Sequence, residues 1–258
     1  MKISQVAAQL FTIRAHTKTP ADVAVSMKKI RDIGYEAVQV SGMGPIPEEE
    51  LMRILDGEGL TCCATHEGAD TILNEPERVV ERLQKLNCKI TAYPYPSGVS
   101  FDTHENVKAL CDKLDEAGKV LHEAGLVLCY HNHHLEFRRI GDTPALDMIY
   151  AETDPRYLQG EIDTYWVQYG GGDPVWYCQS LKDRLPIVHL KDYMIDDESN
   201  VTMCEIGNGN LNFPGIIEAC EASGCEWYAV EQDRCPEDPF DSLRQSFEYI
   251  KAELAEQE

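Results

Sequence analysis

Short apolar runs alternate with longer amphipathic ones along the whole chain. The apolar runs are "ISQVAAQLF", "EAVQVSG", "TCCATHE", "KITAYPYP", "LVLCYHNH", "LQGEIDTYW", "IVHLKDY" and "WYAVEQD", eight in all. Between them apolar positions recur at helical spacing, as in "PADVAVSMKKIRDIG", "PEEELMRILDGEG", "EPERVVERLQKLN", "HENVKALCDKLDEAGKVLHEAG" and "FPGIIEACEASG". Several of these segments have Pro near the start and Gly at the end, which punctuates a helix. Strand followed by helix, repeated, builds βαβ units around a parallel sheet. Eight repeats in 258 residues predict a (β/α)8 TIM barrel, with residues 1–258 forming a single domain. An open doubly wound sheet is the rival. It usually needs fewer strands, and its glycine-rich first turn is missing here, where "FTIRAHTK" follows strand one.

The charged residues gather where the apolar runs end. Strand three ends in "THE", strand five in "HNHHLE", strand six in "EIDTYW", strand seven in "VHLKD" and strand eight in "VEQD". In a (β/α)8 barrel this end of the strands carries the active site. Alternation sharpens the assignment, because every second strand residue shares a face. Glu161 shares a face with Asp163, His189 with Lys191, and Ala229 with Glu231 and Asp233. Ile162, Val188, Leu190 and Val230 take the opposite faces. The pattern therefore aims Asp163, His189 and Glu231 into the barrel mouth, with the aliphatic residues under the helices. His131 and His133 also share a face, whereas Glu136 lies beyond the regular strand.

Carboxylates converging with an imidazole in a closed pocket repel one another unless a cation neutralises them. A mostly oxygen donor set with one His suits Mn²⁺ or Mg²⁺; Fe²⁺, Co²⁺ and catalytic Zn²⁺ stay open. The charge balance, 23 basic against 45 acidic residues, gives −22 and disfavours nucleic acid partners. No apolar run approaches the ~20 residues of a membrane span, and the N-terminus lacks a signal-peptide pattern. Ten scattered cysteines with no C-x-x-C pair fit a reduced compartment, so a cytoplasmic protein is expected.

"YHNHHLEF", "EIDTYW", "HLKD", "EIGNGNLNFPGII" and "WYAVEQD", in that order and at successive strand ends, resemble the sugar phosphate isomerase/epimerase family of xylose isomerase-like TIM barrels. The resemblance implies a divalent metal held by Glu136, Asp163, His189 and Glu231, with His131 or His133 as substitutes for Glu136. It implies a small carbohydrate substrate and allows a homo-oligomer. The implied chemistry is proton removal beside a carbonyl through an enediolate, by a sugar isomerase or epimerase acting on a ketose or keto-sugar. Glu136 and Glu231, from non-adjacent strands, could then address opposite faces of the sugar. His133 and Lys191 are the further catalytic candidates; His66, His131 and Trp166 are the substrate-binding ones.

Elimination starts from the same proton transfer. A dehydratase of a keto-sugar or keto-inositol, or a C-glycoside-cleaving lyase, is therefore the close alternative. A non-catalytic sugar-binding barrel is the third. A metal-dependent abasic-site endonuclease, also similar, would want a basic face that this chain lacks. Of the remaining motifs, "GNGN" at 207–210 reads as a turn before a helix rather than a phosphate cradle, because the strand–turn–helix context is absent. "YPYPSGVSFD" and "YMIDDESNVTMCEIG" read as long βα loops that would carry specificity.

Overall fold

The structure, a computed structural model, describes residues 1–256. Eight parallel strands form a closed barrel: β1 (Val6–Gln9), β2 (Ala37–Val40), β3 (Thr61–His66), β4 (Ile90–Tyr93), β5 (Val127–His131), β6 (Leu158–Asp163), β7 (Ile187–Leu190) and β8 (Trp227–Val230). Each pairs with the next in sequence, and β8 pairs with β1 to close the ring. All eight fall within the apolar runs. Outside them lie helices α1 (Pro20–Ile33), α2 (Glu48–Glu58), α3 (Ala69–Asn74), α4 (Pro76–Lys85), α5 (His104–Glu123), α6 (Ala145–Glu152), α7 (Thr164–Tyr169), α8 (Pro174–Ser180), α9 (Phe213–Ala222) and α10 (Pro239–Tyr249).

Local chemistry sets the ends. In α1 the Thr19 hydroxyl accepts from the Asp22 N–H and Asp22 accepts from the Thr19 N–H, a reciprocal box with Pro20 in the first helical position. Gly34, at φ +126°, ends the helix where a side chain would be strained. Gly118 in α5 permits a close crossing instead. A Cβ there would lie 2.2 Å from the Tyr157 carbonyl oxygen, and backbone cannot swing aside. Gly118→Ala is expected to cost about 1–3 kcal/mol, read as a lower Tm by calorimetry.

Two apolar layers follow from strand alternation. The outer one, between sheet and helices, takes Val6, Ala8, Val38, Leu128, Tyr130, Ile162, Val188, Leu190 and Val230. The inner one is small: Ala7, Ala37, Cys63, Ala64, Ile90, Ala92, Cys129, Ile187 and Ala229. A register shift at Val38/Gln39 between β2 and β3 lets the consecutive residues Cys63 and Ala64 both join the inner layer. The stretch read as a long loop after strand seven is partly ordered: Asp192–Ile195 pairs antiparallel with Val201–Cys204. All ten cysteines are unpaired and nine are buried, serving as small packing residues. Among the described residues, no helix is long and apolar enough to cross a membrane.

Candidate active site

The inner apolar layer is a floor, and a polar layer lies on it. Gln9, Gln39, His66, His131, His189 and Glu231 each stand two residues beyond a floor residue on the same strand: Ala7, Ala37, Ala64, Cys129, Ile187 and Ala229. Alternation aims them inward, and all but His66 are buried. Glu161 completes the layer from β6 and is fully buried.

Glu161 is its hub. One carboxylate oxygen lies 2.5 Å from His66 Nε2, 3.1 Å from His189 Nε2 and 3.2 Å from His131 Nδ1. The other accepts from Gln39 Nε2 at 2.7 Å. Burial alone would push this carboxyl up, but the His189 and His66 imidazoles hold it well below the usual range. Neither Gln39 nor Glu161 stood out in sequence. Alternation had placed Glu161 beside Asp163, and that was the available signal.

His189 joins this layer to the mouth. Its Nε2–H donates to Gln39 Oε1 at 2.6 Å, while Nδ1 lies 2.9 Å from Glu231 Oε2 and 3.8 Å from Asp163 Oδ2. Burial pushes the ring down, yet Glu161 and Glu231 bring it up to about 10. Asp163 divides its oxygens. Oδ1 accepts from the Trp166 N–H at 2.9 Å, capping α7, which leaves Oδ2 for the mouth. Burial brings this carboxyl up to about 6 against the pull of Lys191 and His189. Lys191 Nζ lies 2.8 Å from Asp163 Oδ2, 2.7 Å from Glu231 Oε2 and 2.8 Å from Asp233 Oδ2. Its side chain is 1% exposed. The Thr164 hydroxyl, at the start of α7, accepts the Lys191 N–H at 3.0 Å and so fixes the end of β7.

The structure does not bring Glu136 to the other three expected ligands. The turn Leu135–Phe137 folds the chain back, so Glu136 accepts from the Tyr130 hydroxyl at 2.9 Å and the His133 N–H at 3.0 Å. Tyr130 faces the outer layer with Leu128, so this carboxylate lies away from the mouth. Burial brings it up to about 7. His131 takes its place: His131, Asp163, His189 and Glu231 hold ligand atoms within 4.8 Å of one another. The same holds deeper down for His66, His131, Glu161 and His189. The deeper set is a poorer cage, because His66 Nε2 and Glu161 Oε1 already touch at 2.5 Å. Two ligands bound at about 2.1 Å and at right angles stand ~3.0 Å apart.

The upper set fits a divalent ion. Its donors are two carboxylates and two imidazoles, and His189 presents Nδ1 to them while its other N–H is held by a carbonyl oxygen, the usual support of a metal-bound imidazole. His131 Nδ1 and Asp163 Oδ2 are each buried beside a charged neighbour, Glu161 at 3.2 Å and Lys191 at 2.8 Å. Glu161→Gln, which puts a donor amide among three imidazoles, is expected to weaken Mn²⁺ binding about 10–100-fold in a calorimetric titration with the fold retained.

Of the remaining expected residues, His133 and Trp166 border the mouth, their rings 5.5 Å apart, and burial presses His133 down to about 2. His134 is exposed and its ring lies tilted against Trp166, with centroids 5.0 Å apart. The "GNGN" turn holds a carboxylate of the chain itself: Asp192 accepts from the N–H groups of Gly207, Gly209 and Leu211. A nest filled in this way is not a phosphate cradle.

Fold and mouth together define a (β/α)8 barrel with a carboxylate–imidazole centre at the C-terminal ends of its strands. A family model described as xylose isomerase-like TIM barrel matches residues 27–253, and the chain belongs to that family. It is 28% identical over 166 residues to inosose dehydratase of Geobacillus thermodenitrificans (strain NG80-2), a match covering 58% of this chain and 55% of that protein. The chain thus aligns with little more than half of that relative. A sugar phosphate isomerase/epimerase from Parabacteroides distasonis ATCC 8503 superposes with TM-score 0.83 at 23% identity, covering 96% of this chain and 98% of that one. A xylose isomerase-like TIM barrel protein from Mycobacterium smegmatis, solved in complex with magnesium, superposes with TM-score 0.77 at 12% identity, covering 97% of each chain. Likeness at these identities speaks for the fold.

Proposed function

We propose that the protein is a divalent-metal-dependent isomerase or epimerase of a keto-sugar, with the ion held by His131, Asp163, His189 and Glu231. The observation that carries this reading is the convergence of these four buried side chains at the catalytic end of the barrel. Two imidazoles among four donors suit Mn²⁺, Fe²⁺, Co²⁺ or Zn²⁺ better than the oxygen-seeking Mg²⁺. When bound, such an ion polarises a carbonyl and offsets negative charge developing on its oxygen.

The side chains supply the proton chemistry. Burial would push the Glu231 carboxyl up, but Lys191 and His189 keep it well below the ordinary range, so it is ionised at neutral pH. It is the base that takes the proton from the carbon beside the carbonyl. The C–H electron pair becomes the enediolate double bond, and the carbonyl π pair moves onto oxygen. Lys191, 2.7 Å from Glu231 Oε2, stands on the same side of the substrate as the base, so a proton it returns goes to the same face, as isomerisation between neighbouring carbons requires. The pair of opposed glutamates that epimerisation would use is not formed, because Glu136 accepts from the Tyr130 hydroxyl, and this favours isomerisation.

The second reading is elimination: the same enediolate expels a neighbouring hydroxyl, which leaves with a proton from Lys191. The likeness to inosose dehydratase favours it. Product NMR with added Mn²⁺ separates the two, since an epimer keeps the mass of the substrate and an eliminated product has lost water. In either case Glu231→Gln is expected to abolish Mn²⁺-dependent deuterium wash-in from solvent. Wash-in at the wild-type rate would remove Glu231 from the role of base.

A further inference from the structure

Two glutamines stand side by side in the polar layer, Gln9 on β1 and Gln39 on β2, in register with each other. Both are fully buried. Gln39 uses both ends of its amide: Nε2–H donates to Glu161 at 2.7 Å, and Oε1 accepts from His189 at 2.6 Å. Gln9 uses one end. Its Oε1 accepts the Phe11 N–H, capping the 3₁₀ segment Leu10–His16, while its Nε2–H meets no acceptor in the protein. The amide cannot be turned end for end, because the Phe11 N–H requires an oxygen. The free end is therefore a donor. Buried donors without an acceptor are rare in folded proteins, because leaving one unpaired is unfavourable.

On its other side Gln9 borders the base. Ala7 and Ala229 are partners across β1 and β8, and Gln9 and Glu231 each stand two residues further on. The two side chains thus rise from neighbouring strands about 4.8 Å apart. The segment after β1 is also stitched to the end of β8. The Thr12 hydroxyl accepts the Gln232 N–H at 3.0 Å, and Arg14 donates to the carbonyl oxygens of Asp233 at 3.0 Å and Phe11 at 2.8 Å. Phe11 is held twice, by Gln9 through its N–H and by Arg14 through its carbonyl. One turn therefore fixes both the Gln9 amide and the chain that carries Glu231, and their spacing is set before any ligand arrives.

We infer that Gln9 is a further catalytic residue, whose Nε2–H donates to the substrate oxygen that gains charge when Glu231 removes the proton. The inference rests on the proposed proton transfer and adds a residue to it. The carbonyl oxygen lies two bonds from the carbon that Glu231 deprotonates, so a donor on the adjacent strand, at the level of Glu231, suits it. Glu231 Oε2 is already held by His189 and Lys191, and both ends of the Gln39 amide are engaged. A carboxamide does not give up its proton at neutral pH. Gln9 therefore takes no part in the proton transfers, which stay with Glu231 and Lys191. Its hydrogen bond strengthens as the oxygen turns from carbonyl to oxyanion, and that difference is what lowers a barrier.

The probe is glycolohydroxamate, whose two oxygens on adjacent planar atoms copy an enediolate. Calorimetry compares its binding to Mn²⁺-loaded wild type and Gln9→Met, with Mn²⁺ affinity and Tm measured on both. Methionine keeps the length of the side chain and removes the donor. The variant is expected to bind Mn²⁺ as the wild type does and the hydroxamate about 10–100-fold more weakly. A crystal of the loaded wild type with the hydroxamate, which needs no variant to fold, is expected to place Gln9 Nε2 within hydrogen-bond reach of a ligand oxygen. Equal hydroxamate affinity in the two proteins overturns the role of Gln9 and leaves the reading of the mouth standing. So does a crystal in which Nε2 turns to Glu231 or to water instead. A variant that loses Mn²⁺ along with the hydroxamate makes Gln9 a support of the metal centre and overturns it too. A loaded wild type that binds no hydroxamate at millimolar concentration counts against the proposed proton transfer itself, and the role of Gln9 falls with it.

Discussion

His189→Ala is expected to abolish stoichiometric Mn²⁺ binding and to lower Tm by roughly 6–20 °C. The imidazole is in contact with Gln39, Glu161 and Glu231 and is fully buried. Its removal leaves two buried carboxylates short of a cation and Gln39 short of a donor. Breaking a buried ion pair by deleting one partner costs about 3–5 kcal/mol, and in a chain this long each kilocalorie moves Tm by about 2–4 °C. Scanning calorimetry in EDTA gives the stability, and titration followed by electron paramagnetic resonance gives the affinity. A variant that melts within a degree or two of wild type and still binds Mn²⁺ tightly would refute the idea that this ring ties the two polar tiers together.

Lys191→Met separates the metal-free protein from the loaded one. Without an ion, the ammonium is the cation on which Asp163, Glu231 and Asp233 converge. Methionine keeps the length and apolar stem but not the charge. In EDTA the variant is expected to lose about 3–5 kcal/mol, as for any buried pair stripped of one partner. Saturating Mn²⁺ should recover much of that loss, because a divalent ion answers the same carboxylates. The rise in Tm on adding Mn²⁺ should therefore be larger in the variant than in wild type. Turnover should still drop about 10²–10⁴-fold, the usual worth of a positioned acid or base. A variant as stable as wild type in EDTA, or one with the same metal-induced rise, would show that the ammonium and the ion do not answer the same carboxylates.

Much of this architecture was legible in the chain. The eight strands and five quoted helices follow from apolar periodicity, and alternation alone aims Asp163, His189 and Glu231 inward. Alternation fails where regular structure stops. Glu136 lies past the end of β5 in a short turn, so its direction depends on how that turn packs against Tyr130, a contact between side chains that no spacing encodes. Gln39 was passed over for a different reason. Its neighbours Val38 and Val40 are apolar, and a single amide in a strand becomes informative once the register across β2 and β3, with its shift at Val38/Gln39, is known. The hairpin after β7 was hidden by its acidic tip, "DDESN", which reads as solvated loop whether or not the flanks pair.

The alanines beneath the polar tier set how far down the barrel the chemistry sits. Ala229 underlies Glu231, Ala37 underlies Gln39 and Ala64 underlies His66. Their methyl groups leave headroom that valine or leucine would fill, lifting the ionisable groups toward bulk water. A descendant of this barrel could thus tune the dielectric around its charges, and with it their acidity, through residues that touch no substrate.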